Sequence, residues 1–171
     1  YVAAIRGAQL GLKVAIVERE LLGGICLNWG CIPTKALLRT SEVYGLIKHA
    51  EAYGLSVKDV SFDPKKIVER SRKVASQLSN GVSMLMKKNK ITEYDGRGSF
   101  VDDHTIEVKT AEGGTETVTF DNAIIATGST VRLLPGVSLS ENVVTYEEQI
   151  LTRELPKSIV IVGAGAIRSS L

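Results

Sequence analysis

The period of apolar and polar positions changes along the chain, and each change marks an element. Residues 1–10 are Ala-rich and read as a helix, with Gly11 suited to its C-terminal stop. Residues 13–18 read as a buried strand. A second helix is predicted over 33–53, with Gly54 as its stop. Asp63 and Pro64 signal the start of a third, Asp63 as N-cap and Pro64 at the first helical position. Behind them Ile67, Val74, Leu78, Val82 and Leu85 recur at spacings of three, four and seven, the mark of an amphipathic helix. Lys87, Lys88 and Lys90 fall at its end, where the helix dipole favours cations. Short strands over 105–109 and 115–120, joined by 111–114, predict a β-hairpin. Two more strands are predicted. One covers 121–126 and stops at Thr127, Gly128 and Ser129; the other covers 158–162 and enters Gly163 and Gly165. Leu133-Leu134-Pro135-Gly136 reads as a connection. Strand, helix, hairpin insert and a strand running into a glycine motif imply α/β architecture with a small antiparallel element.

Composition narrows the function. The chain has 171 residues, 44% of them hydrophobic, enough for a domain with its own core. A net charge of +2, spread along the chain, gives no electrostatic case for nucleic acid or a membrane surface. No apolar run approaches the roughly 20 residues that span a bilayer, and no signal-peptide pattern is present. Tyr1 lies in a helix already under way and residues 168–171 stop where a helix should run on, so both ends read as cut.

Two cysteines are too few for a secreted disulfide scaffold, but they lie five apart in an otherwise thiol-free chain. In a regular helix that spacing gives an axial rise of about 7.5 Å, whereas disulfides need Cα atoms within about 4.4–6.8 Å. A bridge therefore requires a distorted turn, for which Gly30 supplies backbone freedom. The pair would sit just before a helix, where the positive dipole end stabilises a thiolate. Redox chemistry is the leading reading. Two unbridged structural cysteines, a purely structural disulfide, and zinc with His49 or His104 stay open on the local sequence.

The stretch Gly23-Gly24-x-Cys26-Leu27-Asn28-x-Gly30-Cys31-Ile32-Pro33-x-Lys35-Ala36-Leu37-Leu38 resembles the active-site segment of the dihydrolipoamide dehydrogenases, a branch of the pyridine nucleotide-disulfide oxidoreductases. Glutathione, mercuric and thioredoxin reductases share the Cys-x-x-x-x-Cys frame but usually carry Val where Leu27 stands, and many have two lysines after the proline. Leu27 with Thr34-Lys35-Ala36-Leu37-Leu38 favours the lipoamide branch. Trp29, where Val is more usual, and Thr34 for Ser are departures. Residues 1–18 and 121–129 also resemble the family, so the likeness covers nearly the whole chain.

The resemblance implies a fold and a set of roles. The fold is a Rossmann-like FAD-binding domain over 1–145 with an inserted antiparallel β element. The start of an NAD-binding domain follows over 146–171. Cys26 would exchange with dihydrolipoamide; Cys31 would lie against the flavin and make the charge-transfer contact. Lys35 would lie near the isoalloxazine N5, and Gly24 beside the flavin. Glu18 would accept hydrogen bonds from a ribose at the end of its strand; read alone it is an exposed strand-end carboxylate. Gly98 would contact the adenine half of FAD; read alone it is a turn glycine. Thr127, Gly128 and Ser129 would form a flavin-contacting turn, and Gly163 and Gly165 would open the NAD motif. The third glycine of that motif is expected at 168, where Arg168 stands. The family's first glycine-rich turn would precede Tyr1, and its His–Glu pair and dimer interface would follow residue 171. The implied activity is oxidation of protein-bound dihydrolipoamide with FAD and NAD. The partner would be the lipoyl domain of a 2-oxoacid dehydrogenase complex, and the full-length protein would be a homodimer in a bacterial cytoplasm or mitochondrial matrix. The alternatives are another disulfide reductase of the superfamily, or an inert FAD-domain piece as the chain stands.

Overall fold

A computed structural model describes residues 1–163 and 165. Arg168, at the expected third glycine of the second motif, lies outside the described residues, as does the rest of 166–171. The chain divides into two compact units, Tyr1–Gly24 with Leu78–Ser129, and Ile25–Gln77 with Thr130–Leu171.

The first unit holds helix α1 (Val2–Gln9) and strand β1 (Ala15–Glu18). Gly11, at φ +87°, takes the left-handed turn between them. β1 is only half-buried, not the buried strand predicted, because among the described residues β2 is its one neighbour in the sheet. The sequence pattern misses β2 (Thr92–Asp102), an eleven-residue strand with two partners. Its first four residues, Thr92 to Asp95, run parallel to β1. From Gly96 onward it pairs antiparallel with β3 (Thr105–Thr110), which turns into β4 (Thr115–Thr119) as the predicted hairpin. The sheet order is β1-β2-β3-β4.

Gly98 is therefore a mid-strand residue and not the turn glycine its local sequence suggests. A Cβ on Gly98 would stand 3.3 Å from Val17 and 3.3 Å from Ile106, so the missing side chain permits close strand-to-strand approach. Leu22, Val82, Met86, Ile91 and Val108 form the buried apolar set of this unit, and Ser79 Oγ donates to the Leu22 carbonyl at 2.8 Å.

The second unit carries two helices in series. Helix α2 (Gly24–Asn28), which begins at the unit boundary, precedes α3 (Cys31–Lys48). Helix α3 starts two residues earlier than predicted and ends earlier, at His49. A 3₁₀ turn (Ala50–Tyr53) then leads to Gly54, at φ +73°. Helix α4 (Pro64–Lys88), which belongs to this unit up to Gln77 and to the first unit from Leu78, starts as predicted: the Asp63 carboxylate accepts the backbone N–H groups of Lys65 and Lys66 at 3.0 and 3.3 Å. Its buried face is Val68, Ser71, Ala75, Ser79, Val82 and Met86, rotated by about one residue from the predicted stripe. Leu78 and Leu85 are exposed. Counting large apolar residues missed the two serines and the alanine, whose small size suits a closely packed face.

Two predicted strands do not form. Residues 121–126 and 158–162 join no ladder, and Ile124, Ile125 and Val160 are 78%, 72% and 89% exposed. A strand is stabilised by a neighbour's N–H and C=O groups, and no described segment offers them. An apolar run signals a strand's content but not where its partner lies. Leu133 to Gly136 is a connection as predicted; Val137 N donates to Leu134 O at 3.0 Å, with Gly136 at φ +80°. Helix α5 (Tyr146–Gln149) was not predicted, though its Thr145…Glu148 capping box was readable in the sequence.

Candidate active site

Cys26 sits in the five-residue α2 and Cys31 is the first residue of α3. Between them the chain leaves helical conformation at Gly30, which stands at φ −124°, ψ −108°. That break brings the two Cα atoms to 4.8 Å, and the sulfurs form a disulfide. The bond removes the reading of two unbridged structural cysteines, and leaves zinc without free thiolates to bind. Thr34 N donates to Gly30 O at 3.1 Å, so the first turn of α3 closes directly behind the break. Pro33, Thr34 and Ala36 are buried and fix this turn, while Cys26 and Cys31 face outward.

The two sulfurs occupy different electrostatic positions. Cys31 lies at the N-terminus of an 18-residue helix, where the unpaired N–H groups and the dipole favour an anion. Lys35 follows it by one turn on the same face. Cys26 has only the short α2 behind it. On reduction, Cys31 is the better-stabilised thiolate.

Two arginines with no local sequence signal, Arg72 and Arg70, hold this segment. Trp29 lies within it, and the Arg72 guanidinium stands 4.4 Å from the Trp29 ring centre. Arg72 Nη1 also donates to the Asn28 carbonyl. Burial holds the Arg72 pKa below its ordinary value. Two residues earlier, Arg70 Nη1 donates to the Ala36 carbonyl at 2.9 Å.

The other expected site residues are placed as follows. Glu18 ends β1, and its Oε1 accepts the N–H groups of Arg19 and Glu20 at 2.8 and 3.0 Å, which fixes the carboxylate at the strand end. Gly24, Gly128 and Gly163 have φ of +74°, +76° and +117°, and nothing lies within 4 Å of where a Cβ would stand. Gly165 is equally open. Gly24, Gly128 and Gly163 serve backbone conformation and not packing, and all four leave main-chain groups approachable by a ligand. That fits a dinucleotide cofactor. Thr127 and Ser129 are exposed on either side of Gly128.

An exposed disulfide closed across a break between two helices, on an α/β scaffold, is the arrangement of a thiol–disulfide oxidoreductase. The chain belongs to the pyridine nucleotide-disulphide oxidoreductase family, whose model matches residues 1–168. It is 64% identical over 168 residues to a dihydrolipoyl dehydrogenase of Mycobacterium tuberculosis, and 60% identical over 171 residues to that of Mycobacterium leprae. A third relative, the dihydrolipoyl dehydrogenase of Corynebacterium glutamicum, is 51% identical over 168 residues. Each alignment covers 98% of this chain and 36% of the relative, so the chain spans about a third of their length. Its fold matches the crystal structure of LpdA from Mycobacterium tuberculosis with a TM-score of 0.81. That match has 20% identity and covers 91% of this chain and 34% of the other.

Proposed function

We propose that the protein to which this chain belongs oxidises dihydrolipoamide carried on a lipoyl domain and passes the electrons through FAD to NAD+. The observation that carries the reading is the outward-facing Cys26–Cys31 disulfide, with Cys31 at a helix N-terminus and Lys35 one turn behind it. The dihydrolipoyl dehydrogenase relatives supply the substrate class.

The thiol chemistry follows from the asymmetry of the pair. A lipoyl thiolate attacks Sγ of Cys26; the Cys26–Cys31 bond breaks, a mixed disulfide forms, and Cys31 leaves as a thiolate. The position of Cys31 at the N-terminus of α3, where the helix dipole favours an anion, makes it the better leaving group. The second lipoyl thiolate then attacks the lipoyl sulfur of the mixed disulfide, closing the lipoyl ring and freeing Cys26. Two electrons have passed to the cysteine pair, and the two protons of dihydrolipoamide have gone to base and solvent. FAD, when bound, supplies the acceptor for those electrons, and NAD+ the final one.

In this reading residues 1–145 belong to the FAD domain and 146–171 begin the NAD domain. Lys35, Gly24, Thr127, Gly128 and Ser129 hold the flavin. Glu18 holds a ribose and Gly98 the adenine half, while Gly163 and Gly165 open the NAD site. The partner is the lipoyl domain of a 2-oxoacid dehydrogenase complex, the working state a homodimer, and the compartment a bacterial cytoplasm or mitochondrial matrix. The test is NADH formation by the full-length gene product with dihydrolipoamide, run beside NAD(P)H oxidation with glutathione disulfide and with Hg²⁺. Turnover of either alternative in preference to lipoamide would overturn the assignment.

A further inference from the structure

We infer that Arg72 and Trp29 form a positioning pair that holds the Cys26–Cys31 loop near its disulfide geometry when the bond is reduced. The inference rests on the redox reading of the pair given above.

Reduction cuts the cross-link between the two sides of the break at Gly30 and leaves the short backbone path through it. That path limits the distance between the sulfurs, and non-covalent contacts must hold their geometry. Arg72 reaches this loop from 44 residues downstream of Asn28 and touches two consecutive residues inside it. Its Nη1 donates to the Asn28 carbonyl, which lies at the C-terminal end of α2. Asn28 is 2% exposed and Arg72 is half-buried, so the bond is partly shielded from solvent. The same guanidinium lies against the face of Trp29, the next residue, at 4.4 Å. On the other side of the break, Arg70 ties the body of α3 to the same helix through Ala36. Arg70 therefore holds the body of α3, outside the loop, whereas Arg72 touches the loop itself.

The consequence is thermodynamic. A loop held in place keeps a high effective concentration of one thiol at the other, and this favours the disulfide over the dithiol. An untethered loop spreads into open conformations on reduction and gains entropy, and its disulfide becomes easier to reduce. The clamp needs a guanidinium: the flat fork can lie on an indole and donate to a carbonyl at once, whereas a lysine is a point charge.

The experiment uses the full-length gene product. It is equilibrated with mixtures of dithiothreitol and its cyclic disulfide, then alkylated and weighed. In this exchange the S–S bond of the pair breaks, the reagent closes its own, and two electrons and two protons change hands. Arg72→Met and Trp29→Val are each expected to shift the equilibrium toward dithiol by about tenfold, a potential about 30 mV more positive. Arg72→Lys should give a smaller shift in the same direction. Arg70→Met should lower the unfolding midpoint and leave the potential where it was.

Unmoved potentials in Trp29→Val and Arg72→Lys overturn the clamp, even if Arg72→Met fails to fold. So does an Arg70→Met shift as large as that of Arg72→Met, since general loosening would then explain both. A wild-type protein that forms no disulfide at any reagent ratio overturns the redox reading together with the clamp. Wild-type cycling with unmoved variants overturns the clamp alone.

Discussion

A methyl group on Gly30 would stand 3.3 Å from the Cα of Cys26 and 3.2 Å from the Ile25 carbonyl oxygen. Both distances are tight for a carbon, and both neighbours are backbone, which cannot rotate away. The glycine is what lets the start of α3 come back against α2. Gly30→Ala should therefore push the two helices apart, with a cost of about 1–3 kcal/mol. Disulfide closure should slow along with it. Urea unfolding gives the first effect and the rate of thiol loss after reduction gives the second. Unchanged values for both would show that the break tolerates a side chain.

The glycines of β2 should differ in their sensitivity. A Cβ on Gly96 would overlap the Lys109 carbonyl group, with its carbon 2.9 Å away; on Gly98 the nearest atoms are methyls at 3.3 Å. Side-chain methyls can shift by a few tenths of an ångström, and a ladder carbonyl cannot without breaking its pairing. Gly96→Ala should cost about 3 kcal/mol and Gly98→Ala about 1 kcal/mol or less. The reverse order in denaturant midpoints would mean that the register of Gly96 against Thr110 is wrong.

The two thiols should separate in the spectrum of the full-length flavoprotein. Cys31, at the helix N-terminus, is the thiolate expected against the flavin. Cys31→Ser should abolish the long-wavelength charge-transfer band after two-electron reduction. Cys26→Ser should retain part of it and lose turnover, since the exchanging thiol is gone. Spectra with the opposite pattern would exchange the two assignments.

The cap of α5 should be sensitive to acid. The Thr145 side chain and backbone N–H both donate to the Glu148 carboxylate, which holds its pKa below the ordinary value. Because the folded pKa is depressed, the stabilisation is complete above the unfolded value and is lost as pH falls through the folded one. Amide exchange at Thr145 should accelerate below about pH 4.5 beyond the intrinsic rate. Thr145→Ala removes the side-chain bond and keeps the backbone one, so it should weaken this dependence and cost about 1 kcal/mol, a roughly fivefold loss of protection. Glu148→Gln should abolish the dependence, and a pH response that survives in Glu148→Gln would have to come from another group.

What was legible in the sequence was local. Asp63 with Pro64, the 111–114 turn, and the Cys26–Cys31 spacing each speak through residues a few positions apart, and each appears in the structure as read. Strand β2 was not legible because it changes partner at Gly96; its outward side chains keep no single period. The stripe on α4 was misplaced because Ser71 and Ser79 are buried where a hydrophobic count looks for leucine. Ser71 Oγ donates to the Val68 carbonyl and Ser79 Oγ to Leu22, so neither hydroxyl is left unpaired. Arg72 could not have been assigned to the redox loop at all, since nothing near residue 72 refers to residue 28. The runs over 121–126 and 158–162 show the opposite failure, with the right composition and no neighbour to pair with.

The double partnership of β2 sets where the chain can change in length. Successive residues of a strand face opposite sides, so one inserted residue between 92 and 100 would turn the later side chains over. It would do so against β1 or β3, and an insertion before 96 would move Gly96 from the place where a Cβ would overlap the Lys109 carbonyl. At the far end of the hairpin, Gly113 sits at φ +87° with open space around it. Extra residues there lengthen a loop and leave both registers intact, at an entropic cost that grows only slowly with loop length. Insertions and deletions are thus accommodated at 111–114 and disfavoured within 92–100, although the two segments belong to one sheet.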